Sequence, residues 1–235
     1  MGKIFTSLGL MSGTSMDGVD ASIIKTDGKS KYNAILDKYF EYPYSIYRNL
    51  TKLRDKIKSS KDLKKHQKQV KTVEKEITIF HAKAVNEILA KKLINVDFIG
   101  FHGQTIFHNA GEKITKQIGD GKLLSKITKK TVIYDFRQND LKNDGQGAPL
   151  TPIFHKLLAE KFNLAQNNIS SSTQATFVNI GGISNLTRVN SIFEINSLDC
   201  GPGMCLIDKW IRLNLKKKID KDGKIAKKGN INNEI

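Results

Sequence analysis

The chain has 235 residues, of which 39% are hydrophobic and 26% are charged, with 18 glycines and four prolines. This composition is typical of a globular protein and excludes collagen-like, low-complexity and disulfide-scaffold chains. The chain has no apolar run of membrane-spanning length and no secretory leader pattern at Met1 to Leu10. Cys200 and Cys205 lack zinc-site or redox-pair spacing, so we expect buried thiols. We therefore expect a cytoplasmic protein without a membrane partner.

The formal net charge is +16, from 39 lysines and arginines against 23 acidic residues. Such an excess favours binding to nucleic acid or to an anionic membrane. Arginine is the residue best suited to forked phosphate and base contacts, and only five of the basic residues are arginine. The lysines are dispersed, with some concentration at 52–75 and 216–228. We interpret the charge as a lysine bias on solvated faces and expect no nucleic-acid partner.

The first half of the chain alternates between strand and helix patterns. Strands are predicted at residues 3–10, 19–25 and 32–40, with a turn of small residues between the first two. Apolar residues then recur at helical spacing from Tyr44 to Leu93, which indicates amphipathic helix packed on a sheet. A short apolar strand at 96–101 ends in the polar sequence HGQT.

The second half continues the alternation of strands with helices, which indicates an α/β fold. Pro149 is predicted to open a helix, as proline does in a first helical turn. Strand–turn–strand units around Gly13 and Gly181 suggest two related halves with a cleft between them. Further strands are predicted at 114–118, 132–136, 177–180, 184–189 and 192–198, and helices at 123–127 and 203–215.

The first motif, MSGTSMDG at 11–18, packs two glycines, three hydroxyls and one carboxylate into eight residues. Such a turn can aim backbone amides and hydroxyls at one anion, as a phosphate cradle does. It is not a Walker loop, because it lacks the Gly-Lys-Ser/Thr ending and leads into a strand. Asp17 would repel phosphate directly, so it would hold Mg²⁺ or a magnesium-bound water. The alternative is a tight hairpin with Asp and Ser as turn formers.

The second motif is NIGGISN at 179–185, where adjacent glycines let the backbone approach a ligand closely. A type I′ hairpin would require the same glycines. Asp199 lies where a strand passes into a helix, the edge at which α/β folds place ligands. Its carboxylate suits a general base or a helix N-cap, and the residues alone leave both alternatives open.

The third group consists of His102, Gln104 and Gln146, in the sequences HGQT and GQGAP. Their neutral donors and acceptors suit the hydroxyls of a sugar. The spacing of His102, His108 and His155 is not that of metal ligands.

Five stretches, in this order, resemble the 1,6-anhydro-N-acetylmuramic acid kinase family. The resemblance implies an actin-like, hexokinase-like (ribonuclease H-like) α/β fold with two lobes around an ATP cleft, here 1–140 and 141–235. The stretches are GLMSGTSMDGVD (9–20), HGQTIFH (102–108), residues 132–155 with DFR and GQGAPL, FVNIGGISNL (177–186) and LDCGPGMCLIDKW (198–210).

The resemblance also implies the activity. A water opens the 1,6-anhydro bridge at C1 while O6 takes the γ-phosphoryl group of ATP, giving N-acetylmuramate 6-phosphate in peptidoglycan recycling and amino-sugar catabolism. ATP and Mg²⁺ are the implied cofactors, an anhydro-sugar is the implied small-molecule partner, and pairing into a homodimer is compatible with the family.

The motif matches assign the site residues. Asp199 aligns with the aspartate that activates the water, which favours the general base over the N-cap. Gly181 and Gly182 match the second phosphate turn, and Asp17 matches the magnesium-associated carboxylate. His102, Gln104 and Gln146 lie in motifs near the sugar. The first phosphate segment comprises Gly13, Thr14, Ser15, Met16, Asp17, Gly18, Val19 and Asp20.

The sequence departs from the family pattern at its end. It stops at Ile235, shortly after the matching KDGK at 221–224, and the glycine-rich adenine-binding turn of the family does not follow. We therefore expect an incomplete second lobe with exposed apolar surface. The alternative function is a truncated, catalytically impaired fragment that acts as a sugar- or phosphate-binding module.

Overall fold

The computed structural model describes residues 2–91, 94–165, 175–190 and 194–231. The chain is a mixed α/β protein and divides into two compact units, residues 1–157 and 158–235. The strands are β1 (Phe5–Ser12), β2 (Gly18–Thr26), β3 (Tyr32–Glu41), β4 (Phe98–Asn109), β5 (Ile114–Ile118), β6 (Val132–Tyr134), β7 (Ala175–Ile180), β8 (Ile183–Val189) and β9 (Ile195–Pro202). The helices are α1 (Tyr44–Lys56), α2 (Ser60–Lys65), α3 (Gln67–Ala90), α4 (Gly121–Thr128), α5 (Gln138–Lys142), α6 (Pro152–Ala165) and α7 (Cys205–Leu215).

The first unit is built on a six-stranded sheet in the order β3-β2-β1-β4-β5, with β6 also paired to β4. The first three strands are antiparallel, β1 is parallel to β4, and β4 pairs in parallel with β6 and antiparallel with β5. Side chains alternate across the sheet, so Leu8, Leu10, Val19, Ala21 and Ile23 are buried on one face. This face contributes its side chains to the core of the first unit.

Helix α3 also contributes to this core, together with Leu50 and Leu53 of α1. Its buried residues recur at three- and four-residue intervals, which places them on one stripe along the helix. The predicted helical region at 44–93, whose last two residues lie outside the described ranges, contains three helices. A capping box of Ser59 and Asp62 starts α2, and the chain turns again at His66. The buried residues of α3 are Val70, Val73, Ile77, Thr78, His81, Ala82, Ala84, Val85 and Ile88.

Strand β4 and the helix after Pro149 differ from the sequence prediction in where they end or begin. Strand β4 does not end at residue 101 but continues through HGQT to Asn109, because β5 pairs with its second half. The helix predicted to open at Pro149 begins at Pro152. Both differences arise from pairing and loop geometry that local sequence patterns do not contain.

The second unit holds an antiparallel sheet in the order β7-β8-β9, followed by α7. Part of the strand predicted at 192–198 lies outside the described residues, and β9 begins at Ile195. The expected exposed apolar surface is present, with Val178, Leu206 and Trp210 more than half exposed. In the ranges that the structure describes, no helix combines the length and hydropathy needed to cross a lipid bilayer.

Candidate functional site

The first candidate site is the turn between β1 and β2, residues 13–17. The Met16 amide donates a 3.2 Å hydrogen bond to the Gly13 carbonyl, and Met16 adopts a left-handed conformation with a φ of 58°. Thr14 and Ser15 are exposed, whereas the Met16 side chain is 2% exposed and belongs to the core. The turn therefore offers its backbone and two hydroxyls to a ligand, while its methionine anchors it in the core.

Three more residues of the predicted phosphate segment lie on β2. Val19 is fully buried in the core, so its side chain is inaccessible to a ligand. Gly18 lies so close to the Phe40 carbonyl and the Tyr39 ring that any side chain at this position would collide with them. The Asp20 side chain is exposed. In this part of the segment, Gly18 therefore allows two strands to approach closely, and Asp20 adds negative charge at the surface.

Acidic side chains surround Asp17 at the end of this turn. The Asp17 carboxylate accepts a hydrogen bond from the hydroxyl of Ser15. Although Asp20 is exposed, partial desolvation by the surrounding protein and the neighbouring Asp17 charge raise its pKa. Burial also raises the pKa of Tyr39, as do the charges of Asp17, Glu41 and Asp20. Negative charge is therefore concentrated at the exit of the turn.

This donor set fits a hard cation bound in part by the protein. Mg²⁺ prefers oxygen ligands and commonly takes one or two carboxylates, with phosphates and waters completing its shell. Asp17 supplies a carboxylate beside the hydroxyl of Ser15, and Asp20 lies nearby. Within the described ranges, no three acidic, histidine or cysteine side chains form a metal-binding group. The ligand would therefore complete the coordination.

Gln104 supports the first turn from the core side. It is fully buried on β4, opposite Ser12 of β1, and its Nε2 donates a 2.8 Å hydrogen bond to the Gly13 carbonyl. Its Oε1 is buried and has no hydrogen-bond partner in the described part of the chain. The structure therefore brings Gln104 to the turn at Gly13, with its amide nitrogen already engaged.

His102 is held between β4 and the loop after β6. Its Nδ1 donates to the Gly103 carbonyl at 2.8 Å, and its Nε2 accepts from Arg137 Nε at 3.0 Å and Nη2 at 2.9 Å. Burial and the Arg137 charge lower the pKa of His102 to about 4. The imidazole is therefore neutral at pH 7, and both of its nitrogens are engaged within the protein.

Gln146 lies on the Gly-rich loop and is exposed. Two hydrogen bonds fix the loop beside it: the Gly147 amide donates to the Asp140 carboxylate and the Gly147 carbonyl accepts from Arg137, each at 2.6 Å. A cavity of about 200 Å³ opens next to His102. Its other lining residues include Gln117, Tyr134, Asp135 and Gln138.

The second glycine turn, Gly181–Gly182, joins β7 to β8. Neither glycine has a positive φ, so the type I′ interpretation is wrong. Its carbonyls accept hydrogen bonds from the chain leading into α7. The Met204 amide donates to Gly181 at 2.8 Å, and the Gly203 amide donates to Gly182 at 3.0 Å. A Cβ at Gly203 would collide with the Gly181 carbonyl, so glycine is needed there for close approach.

Asp199 lies on β9, and its side chain is exposed. The N-cap of α7 is Met204, so the N-cap alternative for Asp199 is excluded. Asp199 pairs across the sheet with Asn185 of β8, which pairs with Asn179 of β7. Directly paired residues project from the same face of a sheet, so the three polar residues form one row. The Oδ1 of Asn185 is buried and lacks a partner in the described ranges.

The prediction of two buried thiols is wrong for Cys200, which is exposed on β9, while Cys205 is half-buried. The core of the first unit also holds three polar residues that were not predicted from the sequence as functional groups, Ser12, Tyr42 and His81. Ser12 lies inside the first motif. His81 falls on the apolar stripe of α3, four residues after Ile77, and a polar residue on such a stripe was the available signal.

These elements define a mixed α/β protein with a tight, oxygen-rich turn between two strands of its first sheet and a glycine turn in its second. A sequence model of the anhydro-N-acetylmuramic acid kinase family matches residues 5–235. The chain belongs to this family.

Individual relatives agree with this assignment. An anhydro-N-acetylmuramic acid kinase of Pelagibacter ubique is 56% identical over 97% of this chain and 60% of its own length. The kinase of the same name from Agrobacterium fabrum is 41% identical over 98% of this chain and 61% of its own. The chain thus spans about three fifths of the length of these relatives. Among solved structures, the PPX-GPPA enzyme of Aquifex aeolicus matches with a TM-score of 0.38 and 11% identity, over 89% of this chain and 56% of that one.

Proposed function

We propose that this chain carries the first phosphate turn and the general base of an ATP-dependent kinase that opens 1,6-anhydro-N-acetylmuramic acid and phosphorylates O6. The observation that carries the proposal is the first turn: exposed Thr14 and Ser15 next to the Asp17 carboxylate, in a chain of this family. The product is N-acetylmuramate 6-phosphate, and the pathway is the recycling of cell-wall amino sugars. The cytoplasm is the proposed location, and a homodimer the proposed assembly.

Phosphoryl transfer requires positioning and charge neutralisation more than covalent chemistry from the protein. The turn amides and the hydroxyls of Thr14 and Ser15 would bind the phosphates of ATP, and Gly181–Gly182 would form the second phosphate turn. Asp17 would hold Mg²⁺, which neutralises phosphate charge when bound. Within the segment from Gly13 to Asp20, the side chains of Met16 and Val19 hold the turn in the core.

Asp199 would act as the general base. Its exposed carboxylate takes a proton from the water that attacks C1. The C1–O6 bond breaks as the new C1–O bond forms. O6 then bonds to the γ-phosphorus, and the bond from that phosphorus to the β–γ bridging oxygen breaks to release ADP. One water is consumed, and its oxygen stays on C1.

On the sugar side, Gln146 has an accessible amide, and we assign it a direct hydrogen bond to the substrate. His102 and Gln104 would act on the substrate site indirectly, because their nitrogens are already engaged. His102 would position Arg137, and Gln104 would position the Gly13 carbonyl. The proposal includes a two-lobe, actin-like architecture with lobes 1–140 and 141–235. The sheet order β3-β2-β1-β4-β5 supports a ribonuclease H-like first lobe.

The test is conversion of 1,6-anhydro-N-acetylmuramic acid by the purified chain with ATP and Mg²⁺ in ¹⁸O-labelled water. We expect N-acetylmuramate 6-phosphate with a single ¹⁸O, located at C1. Asp199→Asn should lower turnover at least 100-fold because the base is lost. Asp208→Asn changes a carboxylate that lies later in the chain, on α7, and should leave turnover unchanged.

Undiminished turnover in Asp199→Asn would contradict the mechanism. No product, combined with binding of the anhydro-sugar and no binding of ATP in calorimetry, would instead support the sugar-binding module.

A further inference from the structure

A chain of three polar side chains crosses the core directly beneath the first turn. The Ser12 hydroxyl lies 2.9 Å from the Tyr42 hydroxyl and 3.1 Å from His81 Nε2. His81 Nδ1 lies 2.7 Å from the Ile77 carbonyl one helical turn back in α3. Ser12, Tyr42 and His81 are at most 2% exposed. We call this the core hydrogen-bond chain.

Its donors and acceptors have one consistent order. The Ile77 carbonyl can only accept, so His81 Nδ1 carries the proton. Burial lowers the pKa of His81 to about 4, so the imidazole is neutral at pH 7 and its Nε2 can only accept. Ser12 therefore donates to His81 Nε2, and its oxygen accepts from the Tyr42 hydroxyl. Each polar hydrogen in the core hydrogen-bond chain has an acceptor.

Tyr42 holds both ends of the turn. Its hydroxyl contacts Ser12, the residue before Gly13, and its backbone amide donates a 2.7 Å hydrogen bond to the Asp17 carbonyl at the other end. Its ring packs edge-to-face on Phe80, with the ring centroids 5.0 Å apart. Residues 13–16 thus lie between two contacts of Tyr42, one made by its hydroxyl and the other by its backbone amide.

The surroundings of the core hydrogen-bond chain make its geometry specific. The His81 ring packs edge-to-face on Phe101, with centroids 5.0 Å apart, and Ile77, Ala84, Val85 and Ile88 of the same buried stripe are apolar. A buried polar group without a partner costs about 1–3 kcal/mol. Any shift of Ser12 that broke either bond would incur this cost, so Ser12 has one low-energy position.

We propose that Tyr42, Ser12 and His81 are positioning residues for nucleotide binding, which fix the start of the first turn so that its amides face the phosphates. This inference rests on the proposed function of that turn. None of the three side chains would contact the nucleotide, because all are buried. Their effect is transmitted through the backbone of Gly13 and Asp17.

The test compares Tyr42→Phe with Thr78→Val in the full chain. Tyr42→Phe removes the hydroxyl and keeps the ring. Thr78 is fully buried on the same helix as His81, and its hydroxyl bonds to Glu74 and Asp120, away from the turn. Both variants lose buried hydrogen bonds, so a general loss of stability affects both.

The first readout is the amide NMR spectrum without nucleotide. In Tyr42→Phe we expect shifted amide signals for Gly13, Thr14 and Ser15, which Thr78→Val should leave in place. The second readout is calorimetric affinity for ATP with Mg²⁺. We expect a loss of about five- to tenfold in Tyr42→Phe, the size expected for one lost hydrogen bond, and wild-type affinity in Thr78→Val.

Two results would overturn the inference: unchanged turn amides in Tyr42→Phe, or equal losses of ATP affinity in both variants. Absence of ATP binding by the wild-type chain would contradict the proposed function instead. In that case the amide spectra still decide whether the core hydrogen-bond chain sets the geometry of the turn.

Discussion

Two buried histidines in the first unit are kept neutral by their surroundings. Burial is the main cause at both His81 and His102, and each has a pKa of about 4 against an ordinary value of 6.5. At His102 the charge of the Arg137 guanidinium lowers the pKa further. The guanidinium also donates to His102 Nε2, which can accept only while it is unprotonated. Neutrality is thus part of how each histidine makes its hydrogen bonds.

The low pKa of His81 predicts a pH-dependent stability. The unfolded chain binds a proton at His81 below pH 6.5 and the folded chain binds one only near pH 4, so stability is complete above pH 6.5 and falls as the pH is lowered. The loss from His81 should be about 2 kcal/mol between pH 7 and pH 5. Urea unfolding at the two pH values measures it.

A matched pair of variants isolates this contribution. His81→Leu should reduce the loss of stability between pH 7 and pH 5 by about 2 kcal/mol. The loss that remains should be of comparable size, because the pKa of His102 is lowered in the same way. Thr78→Val should lower stability at both pH values and keep the wild-type difference between them. An unchanged pH dependence in His81→Leu would show that His81 is not the titrating group.

At the scale of elements, β4 and α3 position the first turn. Strand β4 continues beyond residue 101, and this continuation brings Gln104 within hydrogen-bond distance of the Gly13 carbonyl. Gly103 has a φ of 73° and lies against the Ile118 carbonyl, where a side chain would collide. Helix α3 packs its apolar stripe on the core and brings His81 to Ser12.

The packing of α3 predicts different costs for two isoleucines two residues apart. Ile77 is fully buried and Ile79 is 38% exposed. Ile77→Ala should destabilise the first unit by about 3–4 kcal/mol, through lost burial and a cavity. Ile79→Ala should cost about 1 kcal/mol or less, since its side chain already contacts solvent. Urea unfolding followed by far-UV circular dichroism measures both, and equal costs would contradict the packing described for α3.

At the scale of the whole molecule, the charge of +16 is carried on solvated faces. Lysines of α1 and α3 lie on the exposed sides of helices whose opposite sides contribute to the core, and lysines of the short helix α2 are exposed as well. Examples are Lys52, Lys61, Lys64, Lys68, Lys71 and Lys75. Exposed lysines are flexible point charges and supply no fixed geometry for reading a base sequence.

This distribution predicts weak and non-selective binding to polyanions. Fluorescence anisotropy should give similar affinities for duplex DNA, single-stranded RNA and heparin. All three should weaken steeply as salt rises from 50 to 200 mM, because the interaction is counterion release. A marked preference for one nucleic acid that persists at the higher salt would contradict our interpretation of the charge.

The sequence by itself determined the α/β class, most of the strands and the positions of both glycine turns. These depend on alternation, helical spacing and small residues, which are local in the chain. It also identified Asp199 and Asp17 as candidate carboxylates. Val19 shows the limit of a motif match, because its place within the phosphate segment said nothing about its burial in the core.

Only the tertiary structure decided how the first turn is held. Ser12, Tyr42 and His81 are separated by 30 and 39 residues in the chain, and Gln104 reaches Gly13 across 91 residues. Parallel pairing of β1 with β4 and the packing of α3 bring these groups together, and burial then makes a hydrogen-bond partner necessary for each. Local sequence patterns do not predict such partners, because the cost of leaving a polar group unpaired arises only when the group is buried in the folded core.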